Sequence, residues 1–205
     1  TGVSAVNELN AATPFEELTI TTQDEHTRAT LKIQEGCNNH CTYCIIPSVR
    51  GPIRSRSLDN IREETMRLVA AGYTELVLTG IHLSSYGKDL GDGSTLLDAI
   101  RAVHEVEGVQ RIRLGSLEPT IATVEFSQAL AAMPKVCPQF HLALQSGSNT
   151  VLARMARRYN MTMYMQAVAN LRAAFPMAAF TTDVLTCFPG ETEDEYQETR
   201  QVIRD

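Results

Sequence analysis

Glu35-Gly36-Cys37-Asn38-Asn39-His40-Cys41-Thr42-Tyr43-Cys44 decides how the rest of the chain is read, because it sets three cysteines in the spacing C-x3-C-x2-C. Three thiolates on one short loop can face one side of a metal centre. A cubane [4Fe-4S] cluster has four irons, so three protein thiolates leave one iron open for a substrate to chelate. Zinc is the competing reading, with His40, His26 or Cys137 as a fourth ligand. Structural zinc sites usually pair two separated knuckles, and no second knuckle is present, so the cluster is the stronger expectation.

Outward from that loop, short β-type runs alternate with amphipathic helical patterns, the signature of βα units on a parallel sheet. Strands are predicted at Leu31–Gln34, Glu75–Thr79, Arg111–Leu114, Phe140–Leu144 and Phe180–Leu185. Ser57 is placed to cap a helix whose Ile61, Thr65, Leu68 and Val69 share one face, with Gly72 ending it. A second helix carries Leu96, Leu97, Ile100, Val103 and Val106 up to Gly108, and Thr120–Ala132 is a third helical segment. Asn149–Ala156 and Thr162–Phe175 follow strand four, and Pro176 stops the latter. Thr192-x-x-Glu195 is a capping box opening the last helix. Polar or glycine-bearing residues gather just past each strand: Gly36 and Cys37, Gly80 and His82, Ser116 and Glu118, Gln145 to Ser148, and Phe188-Pro189-Gly190. In parallel βα architectures that edge is where sites are built.

Composition narrows the classes. The 205 residues are 43% hydrophobic and 20% charged, which suits one packed domain. No run approaches the roughly 20 apolar residues that span a bilayer, and the polar opening does not resemble a signal peptide, so a soluble cytoplasmic protein is expected. Five cysteines, an odd number, fit metal binding in a reducing compartment better than a disulfide framework. A net charge of −6 argues against these residues alone being a strong nucleic-acid binder. Residues 1–28 read as a linker or arm from a preceding domain, and residues 29–205 as the core. The first residue is Thr and Asp205 falls within a helical pattern, so the chain reads as part of something longer.

The cysteine loop resembles that of the radical S-adenosylmethionine (SAM) superfamily, in which an aromatic, here Tyr43, precedes the last cysteine. The run Gly36 to Pro47, followed by Arg50-Gly51 and Arg54-Ser55-Arg56, is similar more narrowly to the methylthiotransferases. Leu78-Thr79-Gly80-Ile81-His82 resembles the branch acting on threonylcarbamoyladenosine (t6A) in tRNA. Leu144 to Asn149, Arg154-Met155, Arg157 with Tyr159, Thr182-Asp183-Val184 and Phe188 to Thr192 also fit the family pattern. Ala156 stands where the family usually has Asn, and Cys187 where it has Gly beside the SAM site.

The resemblance implies a partial TIM-like (β/α) barrel, with five βα units of the usual six. It implies a [4Fe-4S] cluster on Cys37, Cys41 and Cys44, SAM on the open iron, and a 5′-deoxyadenosyl radical that activates C2 of the modified adenosine. Tyr43, Gly80, Ser116, Glu118, Gln145, Ser146, Arg157, Asp183 and Val184 are the candidate SAM contacts, with Arg157 placed to meet the SAM carboxylate. Arg50, Arg54 and Arg56 are candidate tRNA contacts, since guanidinium suits phosphate and stacked bases. A second [4Fe-4S] cluster in an N-terminal domain would supply sulfur. Flavodoxin or ferredoxin would supply electrons, and tRNA would bind mainly through other domains. The alternatives are the isopentenyladenosine branch, the branch modifying a ribosomal-protein aspartate, and a non-enzymatic zinc module.

Overall fold

A computed structural model describes residues 13–17, 19 and 27–204. Most of the expected 1–28 arm, His26 included, lies outside the described residues. The elements in chain order are β1 (Ala29–Glu35), α1 (Ile46–Arg50), β2 (Arg54–Ser55), α2 (Leu58–Ala70), β3 (Glu75–Gly80), α3 (Leu96–His104), β4 (Arg111–Leu114), α4 (Val124–Ala131), β5 (Gln139–His141), α5 (Asn149–Arg154), α6 (Met161–Ala174), β6 (Ala179–Thr181) and α7 (Glu193–Arg204). The chain forms a partial (β/α) barrel. β1, β3 and β4 are parallel neighbours, β5 and β6 form a second parallel pair, and single parallel bridges at Ile112–Val136 and Leu117–Leu142 join the two.

Apolar residues of the strands, Leu31, Ile33, Leu76, Leu78, Ile112, Leu114 and Phe140, form one core with Ile61, Leu68, Ile100, Val103, Leu130 and Leu171 of the helices. The 3.6-residue spacing of those helical positions turns them to one face. Ser57 caps α2 by accepting a hydrogen bond from the Asn60 amide. Thr192 and Glu195 close a capping box at the start of α7.

Four expectations are corrected. β2, a two-residue strand antiparallel to β1, covers the first edge, where only parallel units were expected. Its Arg-Ser pair carries no periodic signal. α3 ends at His104 rather than running through Val106. The segment 120–132 splits into a 3-10 turn, Pro119–Ile121, and α4, because the Thr123 hydroxyl caps a new helix at the Phe126 amide. Strands four and five are short, and beyond them Gln145 and Val184 meet through a single bridge.

Candidate functional site

The loop after β1 turns sharply at Gly36, whose φ is +69° and where a Cβ would stand 1.9 Å from the Pro52 carbonyl oxygen. Only glycine fits such a position. Cys37 N–H then donates to the Gly51 carbonyl (3.1 Å), and Ile53 N–H donates to Asn38 Oδ1 (3.1 Å). Buried Gln34 ties the loop from below, donating to the carbonyls of Glu35 (2.7 Å) and Gly36 (2.8 Å) and accepting from the His82 amide (2.7 Å). On the far side Thr42 bonds the C-terminal carbonyls of α5, through its amide to Met155 (3.2 Å) and its hydroxyl to Arg154 (3.0 Å). The cysteine loop is therefore clamped between β1, the loop after β3 and α5.

Cys37, Cys41 and Cys44 all face one cavity of about 180 Å³, walled by Tyr43, Ile81, Leu117 and Ala143 and edged by Asn39, His82, Ser116, Glu118, Gln145 and Arg157. All three are free thiols. Among the described residues no three His, Cys, Asp or Glu side chains gather on a single ion. The three thiolates of a cubane bind three separate irons. His40 is exposed, and Cys137 is buried away from the cavity, its amide donating to Ile112. The donor set fits a [4Fe-4S] cluster.

Glu118 is the anionic centre of the cavity. It takes hydrogen bonds from His82 Nε2 (3.1 Å) and Asn39 Nδ2 (3.4 Å), and Arg157 Nη2 stands 3.5 Å away. Burial works to raise its pKa, but the His82 hydrogen bond and the charges of His82, Arg157 and Arg158 outweigh it, so the carboxyl sits below its ordinary range. Burial pushes the Cys37 thiol up. The Tyr43 ring meets Phe188 edge-on, 6.4 Å between centroids, which brings the loop after β6 against the cysteine loop.

Gln145 has φ +64° and is held by backbone pairing on both sides, its amide donating to Asp183 (3.0 Å) and its carbonyl accepting from Leu185 (2.8 Å). Asp183 and Val184 therefore contribute backbone, with Val184 packed against the core. The Asp183 side chain is 77% exposed and pairs with His141 at 3.6 Å. Ser146 is fully buried against α7, 3.2 Å from the Thr199 hydroxyl. Gly80 lies behind the cavity, where a Cβ would sit 2.8 Å from that of Gln34. The structure thus brings Tyr43, Ser116, Glu118, Gln145 and Arg157 together and leaves Gly80 and the side chains of Ser146, Asp183 and Val184 off the cavity wall.

The three arginines read as tRNA contacts differ in exposure. Arg54 and Arg56 are 7% and 3% exposed, and Arg56 is spent on Glu64 (3.6 Å) and Asn60. Arg50 is half-exposed but binds Glu35 through two hydrogen bonds, 2.9 and 2.7 Å. Asn39 and His82 join the site without having been candidates. Their signal lay in the sequence, since each belongs to a strand-end loop that carries other site residues.

The comparisons agree with this geometry. Residues 31–203 match the radical SAM superfamily. The chain is 43% identical over 203 residues to threonylcarbamoyladenosine tRNA methylthiotransferase MtaB of Bacillus subtilis, covering 99% of this chain and 45% of that protein. It is 39% identical over 178 residues to tRNA-2-methylthio-N(6)-dimethylallyladenosine synthase of Clostridium botulinum, covering 87% and 40%. It therefore spans less than half the length of these relatives. Among solved structures, the radical SAM methyltransferase TsrM of Kitasatospora setae superposes with a TM-score of 0.71 at 17% identity, over 86% of this chain and 34% of that one. With the match running through nearly all the βα units and three thiols facing one cavity at their C-terminal edge, this chain belongs to the radical SAM superfamily.

Proposed function

We propose that the chain is the radical SAM core of a tRNA methylthiotransferase that adds a methylthio group at C2 of N6-threonylcarbamoyladenosine. Similarity to the Bacillus subtilis enzyme over 99% of the chain carries this reading, against 87% for the Clostridium botulinum synthase. When bound, the cluster and SAM supply an electron and a carbon-centred radical. Cys37, Cys41 and Cys44 would hold three of the cluster's irons, and the fourth would be free for SAM. Glu118, kept anionic by its neighbours, is an acceptor suited to the SAM ammonium group, and Ser116 and Gln145 offer polar groups to its ribose. Buried Leu117 makes part of the wall apolar, which strengthens nearby polar contacts.

Two cysteines remain outside the loop, Cys137 and Cys187, one short of a second triad. The sulfur-donating second [4Fe-4S] cluster of this reading therefore belongs outside these residues, as do the flavodoxin or ferredoxin that delivers electrons and most of the tRNA contact. No described helix is long and apolar enough to cross a membrane, which suits a tRNA-modifying enzyme working in the cytoplasm.

The test expresses this chain together with the sulfur-donating and tRNA-binding parts of the full-length protein in a bacterial host deleted for its own tRNA methylthiotransferases and digests the tRNA for mass spectrometry. Methylthiolated threonylcarbamoyladenosine is the expected product. Methylthiolated isopentenyladenosine, or a methylthiolated ribosomal-protein aspartate with unmodified tRNA, would overturn the substrate assignment while leaving the family in place.

A further inference from the structure

Arg157 is a buried cation in direct contact with a cysteine of the site. Its side chain is 10% exposed, and Nη1 donates to Cys41 Sγ at 3.2 Å. Three features hold it there. The guanidinium stacks over the Tyr159 ring, 4.9 Å from the centroid, and Nε donates to the Tyr159 hydroxyl at 3.2 Å. That hydroxyl is itself anchored on the carbonyls of Ala143 and Leu144. Finally, α5 ends in a Schellman turn, with Arg157 N–H donating to Leu152 O and Ala156 N–H to Ala153 O, which folds Arg157 back toward the cysteine loop.

We infer that Arg157 sets the reduction potential of the iron–sulfur cluster through this N–H···S hydrogen bond to Cys41. The inference rests on the reading of Cys37, Cys41 and Cys44 as cluster ligands. Reduction adds one electron, from an external low-potential one-electron reductant, and no bond forms or breaks in that step. The added negative charge is stabilised by a fixed guanidinium donor on a ligand sulfur, so the potential rises, and hydrogen bonds to sulfur and burial are among the levers that set cluster potentials. Donor and sulfur are in direct contact at 3.2 Å, leaving no room between them for a screening water. Glu118, 3.5 Å from the same guanidinium, opposes it with its negative charge. Arg157 was expected at the SAM carboxylate; its contact with Cys41 gives it a task that exists before SAM arrives.

The test is a potentiometric titration, followed by electron paramagnetic resonance, of the anaerobically reconstituted chain without SAM. Arg157→Gln should lower the midpoint so that the reduced-to-oxidised ratio at a fixed potential falls about tenfold, a shift of about 59 mV for a one-electron couple. Arg157→Lys keeps the charge and should shift less, and Glu118→Gln should shift upward. Wild-type midpoints in all three variants at full iron content would overturn the inference, whatever happens to SAM affinity. If Arg157→Gln takes up no iron, the other two variants decide, and unmoved midpoints overturn it equally. A wild-type chain that assembles no iron–sulfur cluster would remove the inference together with the reading of the site, and shows itself as missing iron rather than as an unmoved midpoint.

Discussion

Ala156 and Cys187 both adopt left-handed backbone, φ +56° and +58°, a region that costs most side chains about 1–2 kcal/mol and that glycine or asparagine enters more readily. At Ala156 this is the turn that ends α5 and aims Arg157, and the side chain is exposed. Ala156→Asn should therefore stabilise the chain by about 0.5–1 kcal/mol in denaturant unfolding; a loss of stability would show that the turn is not strained. Glu35 offers a pH test. Burial would raise its carboxyl, but hydrogen bonds from Arg50 and Lys32 hold it down at about 2 against an ordinary 4.5. With the folded value depressed, the stabilisation is complete above pH 4.5 and is lost as pH falls toward 2. Arg50 is half-exposed, so screening reduces its worth to about 1–2 kcal/mol. The stability gap between wild type and Glu35→Gln should close over that window, and a gap independent of pH would contradict the pairing. The three cysteines were legible in the sequence because their chemistry lies in one contiguous loop. Gln145 and Ser146 were not separable, since successive residues past a strand point opposite ways. The burial of Arg56 rests on Glu64 in the second turn of the adjoining α2, a pairing that the apolar pattern of that helix does not announce.

At the scale of elements, the packing behind the cavity depends on a close approach made possible by glycine. Gly147 lets α7 settle over the loop after β5, and a Cβ there would lie 2.6 Å from the Thr199 backbone. Gly147→Ala should displace α7, cost about 1–3 kcal/mol, and speed hydrogen exchange in that helix above the rest. Unchanged exchange in α7 would mean the contact is looser than it looks. α2 and α6 fell close to their expected limits because local signals mark their ends, the Ser57 cap before α2 and Pro176 just past α6. α1 and β2 escaped notice, being five and two residues long, too short for either period to register. The split of residues 120–132 hinged on one hydroxyl, that of Thr123.

Across the whole molecule, parallel strands carry their loops to one end, so residues as far apart in the chain as Cys37 and Arg157 line the same cavity. The order β1-β3-β4 followed by β5-β6 was readable from alternating βα patterns, because each unit is repeated and local. Which strand-end residues face the cavity was not, since that depends on how neighbouring loops pack. If SAM chemistry resides here and sulfur donation elsewhere, the reduced, reconstituted chain should cleave SAM slowly to 5′-deoxyadenosine yet leave tRNA without a methylthio group. Methylthiolation by this chain alone would contradict that division. The central claim, one cubane cluster on one loop, is tested most directly by iron, sulfide and zinc analysis after anaerobic reconstitution. About four irons and four sulfides per chain are predicted, lost in each of Cys37→Ala, Cys41→Ala and Cys44→Ala and retained in Cys137→Ala; one zinc per chain with no iron would contradict it.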